Sequence, residues 1–302
     1  MAKIIYKSIN FRQATRELIA QCDSILMSYA AQGFNMTLRQ LYYQLVARDL
    51  IPNNKKEYDR LGKTVSDARR AGFLDWDLIV DRTRSLKSLS HWKSPSQIVD
   101  AVANQYLTDK WASQSFRPEV WIEKDALVGV FEQVCNSLDV PFFSCRGYSS
   151  DSEMWSAAQR LIAWKENGQT PIIFHFGDHD PSGTDMTRDI FDRLEMFSGF
   201  PLQVKRLALN MPQIEKYNPP PNPTKLSDSR AIEYVKKFGS NSWELDALNP
   251  EILSNLVATN IESLIDRKTW KEAEEIEKSE RSVLQKISRN FPKVTKYVEQ
   301  SL

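Results

Sequence analysis

The stretch that most limits what this chain can fold into is Pro171–Gly183, PIIFHFGDHDPSG. An apolar run of strand length, Pro171–Phe176, ends in a glycine. Asp178 and Asp180 follow, two residues apart, and then come a Pro181-Ser182-Gly183 turn and a helix-like segment. Two carboxylates just past a buried strand repel each other. At an effective dielectric of about 20, like charges about 4 Å apart cost about 4 kcal/mol. A hard divalent cation such as Mg²⁺ relieves that repulsion, and such ions commonly work on phosphates. The motif therefore points to phosphoryl chemistry on nucleic acid.

The surrounding pattern supplies the sheet that this strand needs. From Glu119 onward, strand-like and helix-like segments alternate. Strands are expected at Glu119–Glu123, Val140–Cys145, Pro171–Phe176 and Leu202–Leu209, with helices at Ala126–Leu138, Ser152–Asn167 and Thr184–Phe197. This alternation implies an α/β fold with a parallel sheet and helices on both faces. Ligands of such sheets bind beyond the strand C-termini. Glu123 and Asp178 both lie there, so they can meet. Further on, the proline-rich Asn218–Pro223 reads as an extended strap, and Trp243–Leu248 as an edge strand. Residues 250–300 read as charged helix.

The N-terminal part has a different texture. Apolar positions at helical spacing (Leu18, Ile19, Cys22, Ile25, Leu26, Tyr29) predict a first helix over 11–31. Thr37 caps a second, Leu38–Asp49, and a third is expected at Tyr58–Ala71. Asp75–Asp81 reads as a short strand. Three helices and a strand in this order resemble a winged helix, an architecture that reads DNA. Residues 1–93 carry 16 Lys/Arg against 9 Asp/Glu, whereas the whole chain has a net charge of only +1. A basic half joined to an acidic half suits a protein that grips a phosphate backbone with one end. On the third helix, Arg60, Lys63 and Arg70 share one side, with Arg69 adjacent, and are candidates for tracking DNA. Another helix, Ser96–Trp111, is placed to bridge two domains.

Several function classes drop out. No apolar run approaches the ~20 residues of a membrane helix, and no signal-peptide pattern is present. Three cysteines without a CxxC pair (Cys22, Cys135, Cys145) read as packing residues in a reduced, cytoplasmic protein. Leu61–Thr64, LGKT, imitates the end of a phosphate-binding loop, but Glu57 stands where that loop needs glycine, so no bound nucleotide is expected. His175 and His179 lack partners for a zinc site. His175 is expected to point into the sheet, and His179 to stand behind the acids. Glu244 and Asp246 form a second acidic pair, read as structural or interfacial.

GDHDPSG, together with the strand-end glutamate in VWIEKDAL (Val120–Leu127), resembles the Toprim domain of topoisomerases and primases. DxDPxG resembles in particular the A subunit of topoisomerase VI and the meiotic double-strand-break transesterases. That resemblance implies a Mg²⁺ or Mn²⁺ site made by Glu123, Asp178 and Asp180. The family carries its nucleophile in an Arg-x-x-aromatic-Tyr pattern, which Arg39, Tyr42 and Tyr43 match, so the resemblance places the nucleophile at Tyr43. Arg39, one helical turn earlier, supplies positive charge to the scissile phosphate. Arg146, beside Gly147 in a strand-to-helix loop, is a further phosphate contact. The resemblance covers most of residues 34–210 and is similar in size to compact stand-alone members.

The expected organisation is an N-terminal helix (1–33), a winged-helix DNA-binding domain (34–93), a linker helix (94–112), a Toprim-type domain (113–210) and a helical C-terminal extension (211–302). The implied function is Mg²⁺-dependent cleavage of duplex DNA by tyrosine transesterification. The family works as a homodimer in which the tyrosine of one subunit meets the metal site of the other, and a separate ATPase B-type subunit drives strand passage. In a prokaryotic or phage setting this places the protein in the cytoplasm, with the nucleoid. Two other readings remain open: a Toprim-type hydrolytic nuclease with packed tyrosines, and a DNA-binding structural or regulatory protein without turnover.

Overall fold

The computed structural model describes residues 3–80 and 89–301. Four helices come first: α1 (Gln13–Ala30), α2 (Leu38–Val46), α3 (Lys55–Arg70) and α4 (Pro95–Gln105). Strand β1 (Phe116–Ile122), α5 (Val128–Ser137), β2 (Phe142–Ser144), α6 (Asp151–Glu166), β3 (Thr170–Phe176), α7 (Pro181–Ser198) and β4 (Gln203–Ala208) follow in alternation. The chain then forms α8 (Met211–Tyr217), β5 (Asn222–Pro223), α9 (Ala231–Phe238), β6 (Asn241–Ser242), α10 (Pro250–Glu262), α11 (Arg267–Arg289) and α12 (Phe291–Ser301). Among these residues no helix is long and apolar enough to cross a membrane.

The fold is mixed α/β. Its main sheet has the order β2-β1-β3-β4, with β1–β2 and β3–β4 both parallel. Strand side chains alternate between two packed faces. Trp121 and Ile173 face α6 and α7, where they join Met154, Leu161, Met186 and Ile190 in one core. Phe176 points the other way, 4.7 Å edge-to-face from Phe131 of α5. Each such side chain contributes about 1.5–3 kcal/mol by leaving water.

α1, α2 and α3 close a second core around Leu26, Leu41, Leu45 and Leu61. Thr37 starts α2 through a reciprocal cap. Its Oγ1 accepts the Gln40 amide at 3.3 Å, while Gln40 Oε1 accepts the Thr37 amide at 2.7 Å. Asn54 caps α3 by accepting the Glu57 amide at 3.0 Å.

Some expected elements take another form. Asp75–Ile79 is a turn rather than a strand, because Asp75 Oδ1 draws the Asp77 amide in at 2.9 Å. Only Ile79 forms a bridge, to Met36. Asp81, and the part of the expected winged helix over 81–88, lie outside the described residues. Trp243–Leu248 is not an edge strand. Trp243 bridges His179, and Leu245–Ala247 is a 3-10 turn. Within the strap, Asn222–Pro223 pairs antiparallel with β6.

Two compact units result, and they divide the chain differently from the expected boundaries. The first combines Met1–Arg84 with Pro118–Glu262, so the N-terminal helices and the sheet belong together. The second combines Ser85–Arg117 with Ser263–Leu302. The expected linker helix is therefore α4, a partner of α11. In this unit Trp111 meets Trp270 edge-to-face at 5.3 Å, and buried Glu277 takes Lys110 at 2.8 Å and Arg281 at 2.7 Å.

Candidate functional site

β1 and β3 are neighbours in the sheet, and the acids Glu123 and Asp178 lie just past their C-terminal ends. The Asp178 amide donates to Glu123 Oε2 at 2.8 Å. Asp180 caps α7, its Oδ1 accepting the Gly183 amide at 2.6 Å and the Ser182 hydroxyl at 2.9 Å. The turn between them is closely built: a Cβ at Gly183 would collide with the Asp178 carbonyl and approach Glu123 Oε2 at 3.0 Å.

Arg206, reaching over from β4, holds this turn by its carbonyls. Its guanidinium donates to Gly177 O at 2.9 Å, Asp178 O at 2.5 Å and Gly183 O at 2.8 Å. Burial pushes the Glu123 carboxyl up, and the neighbouring charge of Asp180 adds to that push.

The Asp178 carboxylate is taken up by other partners. Its Oδ1 accepts the Leu245 amide at 2.7 Å, and its Oδ2 pairs with Lys124 Nζ at 2.8 Å. Lys124 also takes Asp246 Oδ1 at 3.2 Å, and Glu244. Burial opposes the lysine's charge, but Asp246, Asp178 and Glu244 overcome it and hold the ammonium charged. Arg39 of α2 completes the network through Asp246 Oδ2 at 2.8 Å and Glu244 Oε2 at 2.6 Å. Burial works against the charge of Glu244 too, yet Lys124 and Arg39 hold its carboxyl below the ordinary range. Thus Glu244 and Asp246, expected to be structural or interfacial, tie the tyrosine helix to the acid turn.

The adjacent tyrosines have different environments. Tyr42 donates to Asn53 Oδ1 at 3.0 Å and Asn54 O at 3.2 Å, which anchors the start of α3. Tyr43 is only 6% exposed, and among the described residues its hydroxyl has no hydrogen-bond partner. It lines a cleft of ≈ 230 Å³ with Arg39, Asn53, Lys55, Tyr58 and Asn222. The Arg39 guanidinium lies 5.7 Å from the Tyr43 ring centre. Burial pushes the Tyr43 phenol up to about 12, with Glu244 and Asp246 adding to the shift and Arg39 and Lys124 opposing it.

Of the expected DNA contacts, Lys63 is exposed, and Arg60 and Arg70 are exposed but paired with Glu57 and Asp67 one turn away. Lys56 shares their side of α3, a position the sequence reading passed over. Arg69 is turned inward. It donates to Trp76 O at 2.6 Å and lies 4.3 Å from that indole ring. Arg146 is exposed and forks onto Asp125 at 3.2 Å. His179 sits among aromatic rings, its Nδ1 2.6 Å from the Tyr234 hydroxyl.

His175 does point into the fold, its Nδ1 2.8 Å from Thr187 Oγ1. Burial, with help from the charge of Arg206, lowers its pKa from 6.5 to about 3. Below pH 6.5 the unfolded chain takes a proton on this imidazole that the folded protein refuses. Its contribution to stability is therefore lost as pH falls through 6.5 toward 3. The slope is about 1.4 kcal/mol per pH unit. His175→Gln should lose about 2 kcal/mol less than wild type between pH 7 and 5, because other groups titrate alike in both. Urea unfolding at several pH values checks this, and parallel curves would contradict it.

Whether these residues fit a divalent ion is decided by their unused oxygens. Glu123 Oε1 and Asp180 Oδ2 accept no hydrogen bond from the described residues. They form an all-oxygen, half-buried pair. Mg²⁺ is commonly held by one or two carboxylates, with water and substrate phosphate completing its shell. The pair fits that mode, while Asp178 is committed to Lys124. Among the described residues, no group of three or more His, Cys, Asp or Glu is arranged to hold a metal by itself. No protein-family model matches the chain, and neither does any curated protein.

Proposed function

We propose that this chain is a Mg²⁺- or Mn²⁺-dependent DNA transesterase of the topoisomerase VI A-like kind. In this reading the N-terminal helices act as a winged-helix unit, and the sheet acts as a Toprim-type domain. One observation carries it. Two adjacent tyrosines, Tyr42 and Tyr43, both line the cleft beside Arg39, and of the two only Tyr43 keeps a phenol without a partner among the described residues.

In this reaction Tyr43 Oη attacks a backbone phosphorus, and the bond from phosphorus to one sugar oxygen breaks. The phenol gives up its proton, the departing sugar oxygen takes one, and a phosphotyrosyl ester remains. The ester conserves the bond energy for religation. Glu123 and Asp180 would hold a divalent ion, and bound there it would neutralise charge at the phosphate. Arg206 keeps the acid turn rigid, and Arg39 orients Tyr43 and places a cation at the cleft.

A phenol pushed up to about 12 is ionised in about one molecule in 10⁵ at pH 7. In this reading its priming comes with the bound phosphate or from the second subunit of a homodimer that shares its sites. The same raised value favours the rival reading, hydrolysis by water at the acid site. A separate ATPase subunit belongs to the strand-passage version of this function.

Duplex grip is assigned to the exposed side of α3. Lys56→Ala with Lys63→Ala should weaken binding to all sequences alike. It should also lower the slope of log affinity against log salt by about 0.9 per lost phosphate contact. A loss confined to one sequence would contradict backbone tracking.

The function itself is tested by incubating the protein with supercoiled DNA and Mg²⁺, then denaturing. Ends that enter the phenol phase until protease treatment support the transesterase. Free 5′-phosphate ends support the nuclease.

A further inference from the structure

Three asparagines line the cleft that Tyr43 borders, and the side-chain oxygen of each is already taken. Asn53 Oδ1 accepts the Tyr42 hydroxyl at 3.0 Å, Asn54 Oδ1 accepts the Glu57 amide at 3.0 Å, and Asn222 Oδ1 accepts Asn53 Nδ2 at 2.8 Å. Asn54 and Asn222 therefore have only N–H left to offer, and those side-chain nitrogens have no partner among the described residues. Lys55 adds an exposed ammonium without an acidic partner among the same residues. No Asp or Glu lines the cleft. We propose that this cleft is a phosphate subsite for the DNA backbone, in which Asn54, Lys55 and Asn222 hold the phosphodiester next to the one that Tyr43 attacks. This rests on the transesterase reading and names a further contact of its substrate.

The donor set selects an anion. A base edge presents donors and acceptors together, and its donors would find no free amide oxygen here. The charged oxygens of a phosphodiester only accept, and hydrogen bonds to charged oxygens are about twice as strong as neutral ones. Lys55 is also the first residue of α3, a 16-residue helix, and the positive end of its dipole adds to the attraction. Glu244 and Asp246, which raise the Tyr43 phenol, are held by Arg39 and Lys124 and do not line the cleft. At ≈ 230 Å³ the cleft is smaller than the about 300–1,000 Å³ of sites that enclose a whole small molecule, which suits one backbone phosphate with its sugar.

The subsite is preset rather than assembled by the ligand. Asn53 joins α2 to the proline-rich strap, because it accepts from Tyr42 and donates to Asn222 Oδ1 and to Pro221 O at 3.3 Å. Asn222 is held from the other side by Ser242, its neighbour across β5 and β6, whose hydroxyl donates to Asn222 O at 3.3 Å. The bond from Asn53 fixes which end of the Asn222 amide is the oxygen. Its nitrogen is thereby the end left for a ligand. Preset donors of this kind cost little ordering when the ligand arrives.

The test reads binding of a labelled duplex oligonucleotide by fluorescence anisotropy in EDTA, where no ion and no cleavage enter. Asn222→Asp keeps an oxygen to accept from Asn53 but turns the free donor into a repelling carboxylate. It should bind at least about tenfold more weakly than wild type. Asn136→Asp makes the same charge change at an exposed position of α5 outside the cleft lining and should stay near wild type. Equal affinities of the two variants overturn the proposal. Should Asn222→Asp fail to fold, Lys55→Gln decides: it should weaken binding several-fold and lower the slope of log affinity against log salt by about 0.9, and an unchanged slope overturns the proposal. Thymidine 5′-monophosphate and inorganic phosphate, added as competitors, should displace the duplex only in large excess. Displacement by an equimolar amount of either would make this a site for a free anion and overturn the backbone assignment. Wild-type affinity in Asn222→Asp, from a protein that still forms a Tyr43–DNA adduct, would overturn the subsite and keep the transesterase reading. Absence of duplex binding by wild type would overturn both.

Discussion

Tyr43→Phe should fold, bind duplex DNA and bind Mn²⁺ as wild type does, and its cleavage of DNA should fall by at least about 10³-fold. The ring fills its place between Tyr42 and Arg39, and phenylalanine keeps that packing. What disappears is one hydroxyl without a hydrogen-bond partner among the described residues, so little stability goes with it. Tyr42→Phe should behave in the opposite way. It loses the bonds to Asn53 and Asn54, costs about 1 kcal/mol of stability and keeps cleavage. If the tyrosine acts across a dimer, mixing Tyr43→Phe with Asp180→Asn protein should restore nicking of one strand. Supercoiled-plasmid assays read all three, and full cutting by Tyr43→Phe would leave hydrolysis as the better reading.

Asp246→Ala should have the largest effect on stability, a loss of about 3–5 kcal/mol. The carboxylate is wholly buried and accepts from both Arg39 Nε and Lys124 Nζ. Its removal leaves a cavity and two charged donors short of an acceptor, each costing about 1–3 kcal/mol. The unfolding temperature should drop by roughly 10 °C. Glu244→Gln, at the more exposed edge of the same network, should cost less than half as much. Thermal unfolding of the two variants checks the ranking, and equal small losses would contradict it.

Local signals were legible because their causes are local. Thr37 announced α2 through a cap that closes within three residues. The apolar run before Asp178 announced β3, while the helix expected from Thr184 begins three residues earlier, at Pro181, because Asp180 caps it. The network was not legible, because Arg39 and Asp246 are 207 residues apart and meet only through the fold. Lys124 was passed over, since a lysine at a strand end ordinarily reads as solvated. The same long-range chemistry explains the misread strand at Trp243–Leu248: the Leu245 amide goes to Asp178 instead of to a neighbouring strand. The inward turn of Arg69 depends on Trp76, whose ring receives it only once Asp75 has bent the chain.

The central claim is that Tyr43 becomes covalently joined to DNA, and mass spectrometry of the joined peptide tests it most directly. Wild-type protein is incubated with supercoiled DNA and Mg²⁺, denatured, and digested with nuclease and protease. The expected result is a peptide containing Tyr43 that carries a nucleotide through its phenolic oxygen, and that is absent when Mg²⁺ is withheld. Cleaved DNA with unmodified Tyr43, or a nucleotide on another residue, would contradict the claim.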